Sequence, residues 1–163
     1  MQSNYILRAR EKYESYDPSC WTKAYFDDVS GGFNVYHKKH KFSSIEGGGN
    51  AEIIVGQLLA MLGKHVEFLP EGEAKSPDIR FDERTWDIKS IEKANEETIR
   101  TYIKDARKAD KAIFYWTTGD DKLETLKNAI GRSVGYFKSK NAYQTMPDIY
   151  YMDNGILKLL WSK

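Results

Sequence analysis

Asp78, Asp87 and Lys89 are residue types that metal-assisted hydrolysis uses, and all three lie between positions 76 and 90. Apolar residues alternate with polar ones in both halves of this segment, which predicts two short strands joined by a polar turn. Successive side chains of a strand point to opposite faces of a sheet. With an even loop length, or a compensating bulge, the three polar residues share one face. The core face then receives four apolar side chains: Ile79, Phe81, Trp86 and Ile88.

Two carboxylates and an amine on one face have a definite chemical use. The carboxylates can hold a hard cation such as Mg²⁺, which prefers oxygen ligands. The ion lowers the pKa of a bound water and offsets negative charge on a phosphate. Lys89 can orient the attacking water or stabilise the transition state. The alternative is a solvated hairpin face, because 30% of the residues are charged and this spacing arises by chance in such a chain.

A second pair of residues with chemical potential is His37 and His40, which form an HxxH pattern. Two histidines at this spacing can bind a metal or act as acid and base. Two lysines lie between them and no matching cysteine or glutamate set follows closely, which is more typical of solvated surface residues. Both uses stay open from the sequence.

Composition limits the class of protein. The chain has 163 residues, 40% of them hydrophobic, so it can bury a core, and its net charge of +1 requires any nucleic-acid surface to be a local patch. The single cysteine, Cys20, cannot form an internal disulfide and suits a reducing compartment. No apolar run has the length of a signal core or a membrane span. We expect a soluble, cytoplasmic protein, or one delivered into a target cell's cytoplasm without a cleavable signal peptide.

Hydrophobic periodicity and turn residues predict a mixed β-sheet flanked by helices, an α/β (α+β) fold. The predicted helices are 1–17, 50–62, 95–109 and 122–140, and the predicted strands are 22–26, 33–36, 64–69, the two strands of 76–90, 112–116, 148–152 and 156–161. Basic residues crowd the polar sides of the last two helices and predict contacts with a nucleic-acid backbone. These candidates are Arg100, Lys104, Lys108 and Arg132.

The motif Pro77-Asp78…Asp87-Ile88-Lys89, in this order of elements, resembles the PD-(D/E)xK phosphodiesterases. The resemblance implies a restriction-endonuclease-like core with an αβββαβ order at 46–163. The local patterns described above predict a helix and β-hairpin appendage before it, at 1–45. The resemblance also implies that an acid on the preceding helix, Glu52, is a further metal ligand beside Asp78 and Asp87. In this family Lys89 is catalytic, and the cofactor is Mg²⁺ or another divalent ion such as Mn²⁺ or Zn²⁺.

Several further segments resemble the C-terminal tRNA nuclease domain of the contact-dependent inhibition toxins, the CdiA family. They are 31–40, with its Gly-Gly start and two histidines, 59–70, 75–78, 86–90 and 98–100. This narrower resemblance implies tRNA as substrate and a cognate immunity protein as partner. The chain departs from the family in carrying Asp rather than Glu at position 87, which retracts the carboxylate by one methylene. The turn at Glu83-Arg84 also lacks the Asp-Gly or Asn-Gly of a tight hairpin.

Together these observations predict a metal-dependent endonuclease that cleaves RNA, with catalytic residues Glu52, Asp78, Asp87 and Lys89. A DNA endonuclease of the same fold is the first alternative. The second is a metal-independent ribonuclease in which His37 and His40 act as acid and base. The third is a module that binds nucleic acid or a protein without catalysis.

Overall fold

The structure is a computed structural model and describes residues 3–42, 49–72, 74–92, 95–117 and 121–163. The chain divides into two compact units, Met1–Thr85 (unit 1) and Trp86–Lys163 (unit 2). The domain boundary predicted at 45/46 lies outside the described residues.

Unit 1 contains helices α1 (Asn4–Ser15) and α2 (Gly49–Met61) and strands β1 (Trp21–Phe26), β2 (Phe33–His37), β3 (His65–Phe68) and β4 (Ile79–Phe81). Strand β5 (Arg84–Ser90) begins just before the boundary and continues into unit 2. Unit 2 then contains α3 (Glu96–Asp105), β6 (Lys111–Tyr115), α4 (Asp121–Ser139), β7 (Asp148–Asp153) and β8 (Ile156–Trp161). Short 3₁₀ helices lie at Ala106–Lys108 and Tyr143–Thr145.

The strands of unit 1 form a mixed sheet. Strands β1 and β2 pair antiparallel, β2 and β3 pair parallel, and β3 and β4 pair antiparallel, with Phe68 opposite Ile79. Alternation places Val66 and Phe68 of β3 in the core, each with no exposed surface. The hairpin β1–β2 is therefore continuous with the rest of the sheet of unit 1.

Helix α2 approaches this sheet closely because two small residues lie at the contact. A Cβ atom on Gly32 would lie 1.8 Å from the carbonyl oxygen of Ala60, and one on Gly56 would lie 2.7 Å from the ring of Phe68. Helix α1 begins at the N-cap Ser3, whose hydroxyl accepts a hydrogen bond from the backbone N–H of Ile6. The helix then packs through aromatic residues against β2.

Unit 2 also has a mixed sheet. Strands β5, β6 and β7 are parallel neighbours, and β8 returns antiparallel to β7. The turn between β7 and β8 uses Asn154 and Gly155, both at positive φ (49° and 80°), so the hairpin predicted at this Asn-Gly pair is confirmed. Apolar residues of α3, α4 and the central strand β6 form the core, among them Ile99, Ile103, Phe114, Leu126 and Phe137.

The predicted fold class is confirmed: each unit has a mixed sheet with helices packed against it. The predicted helix–three strands–helix–strand order from residue 50 appears as α2–β3–β4–β5–α3–β6. The loop after β4 consists of the two residues Asp82 and Glu83, both at positive φ, rather than the predicted Glu83-Arg84. Among the described helices, none is both long enough and apolar enough to cross a membrane.

Candidate active site

In unit 2, Asp87 and Lys89 of β5 lie beside the end of α3 and form a cluster of four charges with Asp105 and Lys108. The Lys89 Nζ lies 3.0 Å from Asp87 Oδ2 and 2.5 Å from Asp105 Oδ2. The Lys108 Nζ lies 3.5 Å from the same Asp87 oxygen and 3.4 Å from the same Asp105 oxygen. Two carboxylates and two ammonium groups therefore alternate, and their formal charges cancel. We call these four residues the charge cluster.

Local sequence explains why these side chains meet. Asp87 and Lys89 are two residues apart on a strand, so both side chains leave the same face of β5. Helix α3 starts at Asn95, whose side chain accepts a hydrogen bond from the N–H of Thr98, and its apolar side is buried. It ends at Asp105, and the 3₁₀ turn that follows places Lys108 three residues later on the same side.

Burial in β5 differs from the predicted alternation at one position. Trp86 and Ile88 are buried as predicted, but Asp87 between them is also fully buried, with 0% of its surface exposed. Strands of a parallel sheet are covered on both faces, which removes the solvent-exposed side that the hairpin pattern predicted. Asp87 is thus a carboxylate inside the protein, beside two ammonium groups.

The electrostatics of Lys89 follow from its neighbours. Burial acts to lower its pKa, but the charge of Asp87, the hydrogen bond to Asp105 and the charge of Asp105 outweigh that effect and raise it. Lys89 is therefore a charged ammonium at neutral pH. It can donate hydrogen bonds and offset negative charge, whereas it is a poor proton acceptor.

Within the charge cluster, Asp87 is the residue that could contribute a ligand to a hard divalent cation. Among the described residues, neither carboxylate oxygen of Asp87 has a hydrogen bond of good geometry, so its contacts with the lysines are ion pairs of imperfect alignment. Mg²⁺ typically binds one or two protein carboxylates and keeps several waters. Asp87 is one such carboxylate, whereas Asp105 is engaged by Lys89. No group of three or more acidic, histidine or cysteine side chains with metal-site geometry occurs in the described part of the chain.

In unit 1, the predicted residues Glu52 and Asp78 both act on His40, the first by a hydrogen bond and the second by its charge. Glu52 lies in the first turn of α2 and is 5% exposed, and its Oε1 accepts a hydrogen bond from His40 Nε2 at 3.3 Å. The Nδ1 of His40 donates to the carbonyl of Leu69 at 2.7 Å. Asp78 is half-buried before β4, and its backbone carbonyl accepts from the Leu69 N–H.

These contacts raise the pKa of His40. Burial acts to lower its pKa, but the bonds to Glu52 and to the Leu69 carbonyl, with the charges of Glu52 and Asp78, outweigh burial and raise it. Both ring nitrogens are engaged as donors and the side chain is fully shielded from solvent. This environment is typical of a histidine that holds Glu52 in place.

His37, the other histidine of the predicted pair, has a different environment. Its Nδ1 accepts a hydrogen bond from the backbone N–H of Lys39, and its ring packs edge-on against Trp21 with centroids 4.9 Å apart. It is half-buried at the end of β2. The structure therefore does not bring His37 and His40 into one hydrogen-bonded pair.

The predicted nucleic-acid contacts lie in unit 2 and already have intramolecular partners. Arg132 contacts Glu96 at 2.7 Å and Arg100 contacts Glu97 at 3.1 Å. The Lys104 ammonium lies 4.0 Å from the centre of the Tyr136 ring, a cation–π contact. Lys108 belongs to the charge cluster.

Asp105 was not among the predicted site residues. One signal could have identified it: an acid in the last turn of a helix opposes the helix dipole and needs compensating cations. Here Lys104, Arg107 and Lys108 surround it in sequence. The partner that matters most, Lys89, comes from a strand distant in sequence, and only the folded structure brings the two together.

Comparisons with protein-family models and with curated protein sequences find no match. Among solved structures, the chain is similar to one described as a CdiA-CT/CdiI toxin and immunity complex from Burkholderia pseudomallei. The match covers 77% of this chain and 97% of that chain, with 14% sequence identity and a TM-score of 0.51. At this identity the similarity concerns the fold alone.

Proposed function

We propose that the protein is a metal-dependent endonuclease that cleaves RNA, with tRNA as the favoured substrate, and that it acts as an interbacterial toxin. The observation that carries the proposal is the buried Asp87 carboxylate held beside the Lys89 ammonium. A buried acid without well-formed hydrogen bonds is unfavourable for stability alone and is typical of functional sites. The likeness to a toxin fold supports the same class of activity.

In this proposal Asp87 would hold the divalent cation, and the resemblance to the PD-(D/E)xK family implies Asp78 and Glu52 as further ligands. When bound, Mg²⁺ supplies a water of lowered pKa and offsets charge on the phosphate. Lys89, held charged by its acidic neighbours, donates a hydrogen bond to a phosphate oxygen or orients the attacking water. His40 orients Glu52 through the Nε2 hydrogen bond.

The remaining cations bind the substrate backbone. Lys108 adds a second ammonium beside Asp87 and balances charge near the phosphate. Arg100, Lys104 and Arg132 contact phosphates further along the strand, in exchange for their present partners. The structural neighbour is described as a complex of toxin and immunity proteins, which supports a partner of that kind for this chain. We expect an acidic protein that covers the basic side of α3 and α4.

The test is cleavage of total tRNA and of plasmid DNA by the purified protein, with Mg²⁺ or with EDTA. We expect tRNA cleavage that requires Mg²⁺ and falls by about 100-fold or more in Asp87→Asn and in Lys89→Met. Glu52→Gln and Asp78→Asn, each tested separately, should show a similar loss. Glu124→Gln, which removes an exposed acid of α4, is the matched control and should retain full activity.

The same assay separates the other functions. Full activity in both Asp87→Asn and Lys89→Met would reject the site. Cleavage of plasmid but not tRNA would identify a DNA endonuclease. Undiminished cleavage in EDTA, with loss in His37→Ala or His40→Ala, would identify a metal-independent ribonuclease. Binding without turnover under any divalent ion would identify a non-catalytic module.

A further inference from the structure

Asp105 makes the shorter of the two contacts that hold the Lys89 ammonium. Its Oδ2 lies 2.5 Å from Lys89 Nζ, whereas the Asp87 Oδ2 lies at 3.0 Å. The Lys89 side chain is 13% exposed and that of Asp105 is 30% exposed. Asp105 therefore lies on the more open side of the cluster, and Lys89 lies between an inner and an outer carboxylate.

The position of Asp105 is electrostatically unfavourable for the helix that carries it. It is the last residue of α3, where the dipole disfavours a negative charge. The contacts with Lys89 and, at 3.4 Å, with Lys108 offset this effect. A neutral or basic residue at this position would stabilise the end of the helix better than an acid does. We therefore expect the role of Asp105 to be its contact with these cations.

We infer that Asp105 is a positioning residue that holds the Lys89 ammonium away from full contact with Asp87, and this inference rests on the proposed function. An ammonium has three N–H donors. Asp105 accepts one of them and the ion pair with Asp87 occupies a second side of the ammonium, which leaves a third donor for a substrate oxygen. Without Asp105, the flexible lysine stem lets the ammonium turn wholly towards Asp87, so that it covers the carboxylate and loses its direction.

The first test requires neither metal nor substrate. In a ¹H–¹⁵N spectrum that detects lysine ammonium groups, the Lys89 signal is assigned by its absence in Lys89→Arg. We expect the wild-type signal to be visible because the ammonium is held, and to shift and broaden in Asp105→Asn. Asp105→Glu should retain part of the signal, and Glu124→Gln should leave it unchanged. An unchanged Lys89 signal in Asp105→Asn would overturn the inference.

The second test is a double-mutant cycle on RNA cleavage. Asp105→Asn should lower kcat by about 10- to 100-fold, as loss of an orienting partner does, with KM changed by less than about threefold. Asp105→Glu should recover part of kcat. In the Lys89→Met background, Asp105→Asn should cause no further loss, since Asp105 acts through the lysine.

The two tests separate the failure of this inference from the failure of the proposed function. If the wild-type protein cleaves no RNA, the proposed function fails and the ammonium spectrum alone decides the inference. If it cleaves RNA and the losses from Asp105→Asn and Lys89→Met multiply, Asp105 acts independently of Lys89 and the inference is wrong. Thermal melting of each variant identifies any change that comes from unfolding.

Discussion

At the residue scale, His65 and His40 show how unit 1 shifts the pKa values of two histidines in opposite directions. His65 stacks on Phe33 with ring centroids 4.3 Å apart, and its Nε2 donates to the carbonyl of Gly31 at 3.2 Å. Its Nδ1 accepts from the Lys12 ammonium at 3.5 Å, which requires a neutral ring. His40 instead donates through both nitrogens to acceptors. Burial and the neighbouring groups therefore lower the pKa of His65, whereas the hydrogen bonds of His40 and its acidic neighbours raise its pKa.

The environment of His65 predicts a pH dependence of stability. Burial and the charge of Lys12 lower its pKa, and they outweigh the opposing effects of the Gly31 carbonyl and Asp82. A histidine with a lowered folded-state pKa stabilises the fold above its unfolded pKa of about 6.5, and that contribution is lost as the pH falls towards the folded value. The free energy of unfolding should therefore decrease between pH 7.5 and 5.5 more steeply in the wild type than in His65→Gln.

Urea unfolding at several pH values measures this difference, because every other titrating group is common to both proteins. Lys12→Gln, which removes one of the two causes, should give an intermediate slope. Identical slopes in the wild type and His65→Gln would contradict the assignment.

At the element scale, the contact between α2 and β2 depends on the absence of a side chain at Gly32. A Cβ atom there would overlap the Ala60 carbonyl, a backbone atom of α2 that cannot move aside without displacing the helix. We expect Gly32→Ala to lower the free energy of unfolding by about 3 kcal/mol or more, because overpacking against a rigid backbone is among the most damaging changes.

A matched control lies in α4. Gly135 is exposed in the helix interior, and a Cβ atom there would meet no atom within 4 Å. Gly135→Ala should raise the stability by roughly 0.5–1 kcal/mol, because alanine favours the helix. Chemical denaturation of both variants measures the two effects. A mild effect of Gly32→Ala would show that α2 can shift on the sheet.

At the scale of the whole molecule, the net charge of +1 provides no general attraction for nucleic acid. Binding must then depend on a few local cations, and the four proposed are Arg100, Lys104, Lys108 and Arg132. Single-stranded nucleic acid gives a slope of about −0.7 per phosphate contact in a plot of log K against log salt concentration. We expect a slope near −3 for RNA binding by the inactive Asp87→Asn variant.

Arg132 provides the most direct check of backbone binding by these cations. Its side chain is 57% exposed and lies on α4, away from the charge cluster in sequence. Arg132→Gln in the same background should reduce the slope by about 0.7. Lys158→Gln, at an exposed lysine of β8 paired with Asp153, should leave it unchanged. A slope near zero in the parent variant would contradict backbone binding by these residues.

Local sequence patterns were sufficient to predict much of the fold. Alternation in β3 and β4, helical spacing in α3 and α4, and the turn pair Asn154-Gly155 all act over a few residues, so the sequence predicts those elements directly. The parallel pairing of β2 with β3 joins segments that are distant in sequence, so no local pattern predicts it.

The candidate site was predictable only in part, for the same reason. The Asp87–Lys89 pair follows from strand geometry, since residues two apart share a face. The burial of Asp87 and the contact of Lys89 with Asp105 depend on tertiary packing, which no short stretch of sequence encodes. Buried Asn34 is a further example: among the described residues its side-chain amide has no hydrogen-bond partner, and nothing in its sequence neighbourhood predicts this.

The electrical neutrality of the charge cluster constrains which substitutions its four positions can accept during evolution. Loss of one of the four residues leaves an uncompensated charge in a poorly hydrated environment. Loss of one acid together with one base keeps the net charge of the cluster at zero. Substitutions at these four positions should therefore occur in pairs, an acid together with a base. Related chains that have lost Asp105 should more often have lost Lys108 as well than retained it alone.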